Sequence, residues 1–250
     1  MQLWTVEHAK TLIPSIIFAI VLAFVLRLCL IKKDIKVRMI PFQVLAVILF
    51  LIEIGKQVYS FSNGYDLYHI PFHFCSLFIF MLPLASFYTG KHKEAVLSIT
   101  AGICCATTLL LIIYPSLIYS AWDIEHYFEN YLAFHTVTFH NIVIYELFFI
   151  LFLDLNVPVA KRDSKNVAIF MAVFSVIAAV MSQILKTNYA NMYSCNIPPL
   201  ENVRLMVQSA CGYTVAQIFY VSIVMLLHIL FTLMAYHLYR IIKLKAFKKP

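Results

Sequence analysis

MIPFQVLAVILFLIEIGKQVYS, residues 39–60, decides the fold. This run contains only two charged side chains, Glu53 and Lys56, both in its second half. As a helix rising 1.5 Å per residue it would be about 33 Å long, enough to cross a hydrocarbon core of about 30 Å. A segment this apolar and this long is a membrane helix that carries two ionisable groups into the bilayer.

The rest of the chain repeats the pattern. Hydrophobic residues make up 62% of it and charged residues 12%, and the mean hydropathy is +0.86. Those values exclude an ordinary soluble domain. Apolar runs fall at about 12–31, 39–60, 70–88, 95–119, 132–153, 167–185 and 214–239. The expectation is an all-α, polytopic bundle of seven transmembrane helices forming one domain over residues 1–250. The first run is followed by KKDIKVR rather than a small-residue cleavage site, so it reads as a retained helix and not a signal peptide.

Lys and Arg in short loops mark the cytoplasmic side. Lys32, Lys33, Lys36, Arg38, Lys91, Lys93, Lys161, Arg162, Lys165 and the basic tail from Arg240 to Lys249 fall after the first, third, fifth and seventh runs. The other side holds Lys10, Lys186 and Arg204. The N-terminus is therefore expected outside and the C-terminus in the cytoplasm. The net charge of +7 reads as this topology signal and as a surface for anionic lipids, not as a nucleic-acid footprint.

Of the six cysteines, Cys29, Cys75, Cys104, Cys105 and Cys211 lie in or beside apolar runs, where a thiol acts as a small hydrophobe. Sequence leaves open whether Cys195 pairs with Cys211. No P-loop, GxGxxG, HExxH or internal repeat is present. No cofactor or metal is expected.

Polar residues inside membrane helices cost free energy and usually face a partner or a cavity. The expected topology places Glu53, Lys56, His69, His73, Cys75, His135, His140, Asn141, Gln183, Asn188, Asn191 and Gln217 in the outer half of the membrane. One outward-opening polar cavity is expected from that clustering. If residues 70–88 are helical, Cys75 lies about 200° around the helix from His73, against a direct pair between them. His135 and His140 are separated by about 140°, and the deeper His140 is the preferred base. Glu53 and Lys56 have the spacing of an ion pair, which serves either helix packing or a lipid head group. Glu146 and His228 lie near mid-membrane, where structural hydrogen bonding or a neutral carboxyl is the simpler reading.

IPFHFCSL at residues 70–77, the two histidines of FHTVTFHN at 134–141 and NYANMYSC at 188–195 resemble, in order and spacing, the YwaF-like bacterial integral membrane proteins. AGICCATTLLLIIYPSL, with its framing glycine and proline, fits the same pattern. That group is related to the eukaryotic transmembrane protein 164 group, whose members look like acyltransferases that move fatty acyl chains between phospholipids. The resemblance implies a cysteine and a histidine working on an acyl group, and it carries the histidine roles onto His73 and His140. In the eukaryotic pattern the cysteine immediately precedes the first of these histidines. Here that position is Phe72, while Cys75 follows His73 by two residues. A thioester on Cys75 is therefore left open.

Acyl transfer needs a base, a nucleophile or activated acceptor, and donors for the oxyanion. His140 is expected as base, with His73 or His135 as a second proton carrier. Asn141, Asn188, Asn191, Gln217, Lys56 and Glu53 are the expected substrate contacts, and membrane phospholipids the partners. Two other classes stay open: a proton- or cation-coupled transporter using the histidines, and a non-catalytic lipid-binding protein. The resemblance to bacterial members implies a bacterial plasma membrane.

Overall fold

The computed structural model describes residues 3–194 and 198–246, which are helical or loop, with no strand among the described residues. In chain order the α-helices are α1 Val6–Leu30, α2 Ile35–Ser62, α3 Leu77–Phe87, α4 Lys93–Ile113, α5 Ala121–Glu125, α6 Tyr131–Phe152, α7 Ala160–Leu185, α8 Pro198–Cys211 and α9 Tyr213–Ala246. Short 3-10 turns occupy Leu67–His69, Pro115–Leu117 and Tyr189–Asn191.

Helix starts follow the local chemistry. Thr5 caps α1 in a reciprocal pair with His8, Ser120 does the same for α5 with Asp123, and the Asn130 side chain accepts the Leu132 and Ala133 amides of α6. The run expected at 95–119 stops at Ile113, because Pro115 disfavours helical geometry at Tyr114.

Among the described residues six helices, α1, α2, α4, α6, α7 and α9, are long and apolar enough to cross a membrane. The remaining expected span, the third run at 70–88, is shorter than the sequence suggests. Its helix, α3, has 11 residues, a length of about 16 Å that does not cross a bilayer by itself. Pro71 forces Ile70 into an extended conformation, and turns from His73 to Ser76 delay the helix until Leu77. His73 and Cys75 therefore precede α3, and the helical separation expected between them does not apply. The loop expected after the sixth run also gains structure, since it contains the 3-10 turn at Tyr189 and the helix α8.

Burial sorts the helices into centre and rim. In the most apolar window of α4 and of α6, 67% of residues are buried, against 17% for α1. α4 packs on α3, α6, α7 and α9, and α6 also packs on α1 and α2. The outer faces of α1 and α2 leave Ile17, Phe24, Leu51 and Phe61 exposed, as expected of surfaces solvated by lipid tails.

The two ends of α6 differ in charge. Its C-terminal carbonyls are held by three cations from three other helices: Arg27 donates to Phe152 at 2.6 Å, Arg38 to Leu153 at 2.9 Å and Lys243 to Leu151 at 2.9 Å. Cations at the negative end of the helix dipole and on its free carbonyls are stabilising. The same end is latched by Asp163 on α7, whose carboxylate accepts from Ser98 of α4 at 2.8 Å, Tyr236 of α9 at 2.9 Å and the Val159 amide at 2.7 Å.

Candidate functional site

The polar residues of interest gather at the opposite end of the bundle. Glu53 lies in the last third of α2 and His135 in the second turn of α6, and both are buried. Glu53 Oε2 stands 2.8 Å from His135 Nε2, while Oε1 accepts from Lys56 Nζ at 3.2 Å and from Gln57 Nε2 at 2.7 Å. A carboxylate beside an imidazole nitrogen fixes the proton on that nitrogen. His135 therefore carries its proton on Nε2 and keeps its lone pair on Nδ1.

Gln57 ties this pair to the segment preceding α3. Its Nε2 also donates to the His69 carbonyl at 2.9 Å, and its Oε1 accepts from the Tyr65 hydroxyl at 2.9 Å. His73 sits on the same segment, donating from Nε2 to the Tyr68 carbonyl at 3.0 Å between the rings of Tyr68 and Tyr189. Tyr189 in turn donates to the Leu67 carbonyl. The Lys56 ammonium lies within electrostatic reach of His69, His73, Cys75, His135 and His140. That ammonium donates its hydrogen bond to Glu53.

The remaining expected residues have other positions. His140 is buried and donates from Nδ1 to the Thr136 carbonyl at 2.6 Å, which leaves its lone pair on Nε2. Among the described residues no hydrogen bond or ring contact joins His73 to His140. Asn141 faces α1, accepting from the Ser15 hydroxyl at 2.9 Å. Asn188 accepts the Tyr193 and Ser194 amides, both at 3.0 Å, and Gln217 donates to the Tyr193 carbonyl at 3.0 Å. The Asn191 carbonyl accepts from Tyr220 at 2.6 Å. Asn188 thus braces the loop after α7 from within, while Gln217 and Tyr220 hold that loop to α9. Cys195 lies outside the described residues, and its pairing with Cys211 with it. Among the described residues no three His, Cys, Asp or Glu side chains group as metal ligands.

A groove of about 440 Å³ runs between α2 and the Pro71–Phe80 segment. Its walls include Phe50, Ile54, Val58, Phe61 and Phe80, and its polar residues are Glu53 and Gln57. Phe50, Ile54, Val58, Phe61 and Phe80 are also exposed on the outside of the bundle. The groove is therefore open on the outer side of the bundle, its surface is almost wholly apolar, and Glu53, the residue that holds His135, is among those that line it. Gln57 and Tyr65 were not singled out from sequence. The spacing of four between Glu53 and Gln57 on one helix face was the available signal.

No curated protein and no solved structure matches this chain. A family match does extend over residues 3–239, from before α1 to the last turns of α9 and through the whole Glu53–His135 site. The chain belongs to the TMEM164 family.

Proposed function

We propose that this multi-pass membrane protein is an acyltransferase acting on phospholipid acyl chains, with His135, oriented by Glu53, as the base. The observation that carries the reading is the meeting of a carboxylate–histidine pair with an apolar groove open to the bilayer. An acyl chain fits the apolar groove walls, and on this reading its ester lies next to the stretch of α2 that carries Glu53 and Gln57.

In the proposed reaction His135 Nδ1 takes the proton of an acceptor hydroxyl as its oxygen attacks the ester carbonyl. The tetrahedral intermediate collapses with cleavage of the donor's C–O bond, and the imidazolium returns the proton to the departing oxygen. Lys56, whose ammonium pairs with Glu53, is assigned to the developing oxyanion or the lipid phosphate. His73 and His140, within reach of the same cation, are secondary proton carriers. This reading moves the base from His140 to His135, because only His135 has a carboxylate partner among the hydrogen bonds described.

The topology proposed with it has the Leu67–His69 turn and α3 together completing a seventh crossing, the N-terminus outside and the C-terminus in the cytoplasm of a bacterial plasma membrane. The cationic end of α6 supports that orientation.

The test is phospholipid acyl composition by mass spectrometry in cells expressing wild type, His135→Ala, His140→Ala or Cys75→Ala at matched levels. A change that requires His135 and survives Cys75→Ala is expected. Loss with Cys75→Ala moves the chemistry to a thioester route. No change with wild type overturns the enzyme reading in favour of lipid binding. One observation favours that second reading: both Glu53 oxygens are already engaged within the protein.

A further inference from the structure

A second pocket, of about 230 Å³, lies at the start of α6 and is lined by Tyr127, Phe128, Glu129, Asn130, Tyr131 and Phe134. Four of its six residues are aromatic. Tyr127 and Phe128 stand at 88° with centroids 4.8 Å apart, which makes two perpendicular walls. Phe134 closes on Tyr127 at 5.3 Å and on Tyr131 at 5.7 Å.

Two of the rings are fixed before any ligand arrives. The Tyr127 hydroxyl bonds to Thr138 at 2.9 Å, and the Tyr131 hydroxyl donates to the Ile52 carbonyl at 3.1 Å. Preformed walls reduce the ordering cost of binding. The chain that forms the pocket is acidic, with His126 Nε2 4.0 Å from the Glu129 carboxylate. Asp123, Glu125 and Glu129 lie between residues 114 and 134, and that stretch contains no Lys or Arg. Aromatic faces carry negative charge at their centres, so rings set at right angles beside carboxylates attract a cation with apolar bulk.

We propose that this pocket is an aromatic cage for a quaternary ammonium group, borne by a lipid head group or a free solute. Ring faces contact the methyl groups and Glu129 supplies the counter-charge. A plain interfacial aromatic anchor would need neither the perpendicular walls nor the carboxylate. The inference is independent of the acyl-transfer reading, since it concerns binding alone.

The test uses the full chain in a maltoside detergent, titrated calorimetrically with choline and with its neutral isostere 3,3-dimethylbutan-1-ol. Phe128 is 95% exposed, so its replacement leaves the packing intact. Saturable choline binding is expected, weakened at least about fivefold in Phe128→Ala, in Phe128→Leu and in Glu129→Gln. The neutral isostere is expected not to compete. Equal binding of the isostere, wild-type affinity in Phe128→Leu, or no saturable binding at all overturns the cage. With cage binding established, choline titration in phosphatidylcholine and phosphatidylglycerol nanodiscs assigns the source. Blocked titration only in phosphatidylcholine supports a lipid head group as occupant, and equal titration in both supports a free solute.

Discussion

His135 on α6 and Glu53 on α2 share a hydrogen bond of 2.8 Å although 82 residues separate them in the chain. Lys56 and Gln57 complete the shell of the same carboxylate. A buried charge whose partners come from two helices makes the position of one helix depend on the other. Removing a partner leaves the remaining charge uncompensated, and that cost exceeds the worth of the pair itself.

Glu53→Ala is accordingly expected to destabilise the protein by about 3 kcal/mol, read as a lower melting temperature in detergent. Glu53→Gln, which keeps the shape and some hydrogen bonding, is expected to cost less. If His135 is the base, both variants lose acyl-exchange activity by about 100-fold or more. A double-mutant cycle between Glu53 and His135 should give a coupling energy above about 0.5 kcal/mol, whereas additive effects would mean that the bond is energetically empty.

Filling the groove should separate chemistry from stability. Ile54 and Phe80 line it and are exposed toward lipid. Ile54→Trp is expected to leave the melting temperature nearly unchanged and to reduce acyl exchange, with long-chain substrates affected more than short ones. Unaltered exchange for every chain length would remove the groove from the mechanism.

Gly55 of α2 lies against the end of the Tyr131 side chain of α6. A Cβ at this position would lie 2.0 Å from the Tyr131 hydroxyl oxygen. Gly55→Ala is expected to cost about 1–3 kcal/mol by overpacking. Tyr131→Phe removes the clashing oxygen and should recover part of that loss, so the double variant is predicted to be more stable than the sum of the two singles. Strict additivity would count against this contact.

The Asp163 latch predicts an effect on folding alone. Its fully buried carboxylate serves Ser98, Tyr236, the Val159 amide and Arg162. Asp163→Ala strands several buried donors at once and is expected to cost about 3 kcal/mol or more, while Tyr236→Phe costs about 1 kcal/mol. Any acyl-exchange activity remaining per folded molecule should be unchanged, because the latch lies at the end of the bundle opposite Glu53.

Sequence and structure part most clearly at residues 63–76. The apolar run 70–88 reads as one continuous helix, and hydropathy has no means of showing that Ile70 is extended before Pro71 or that α3 begins only at Leu77. The angular argument about His73 and Cys75 depended on that helix. The preference for His140 over His135 was likewise an inference from depth. The structure instead gives the carboxylate to His135 and a backbone carbonyl to His140. Asn188 and Gln217 are expected substrate contacts from the sequence, and in the structure their side chains bond to the loop that follows α7.

What the sequence by itself determined was the solvent and the elements. Runs of apolar residues long enough for a bilayer require helices, because backbone groups in lipid must be satisfied within the chain, and the few charges inside those runs marked where polar partners had to be found. Tertiary structure alone decided which partners they were. Helical periodicity orders neighbours three or four residues apart, but the pairing of Glu53 with His135 depends on how α2 and α6 turn toward each other, which is set by packing such as Tyr131 against Gly55.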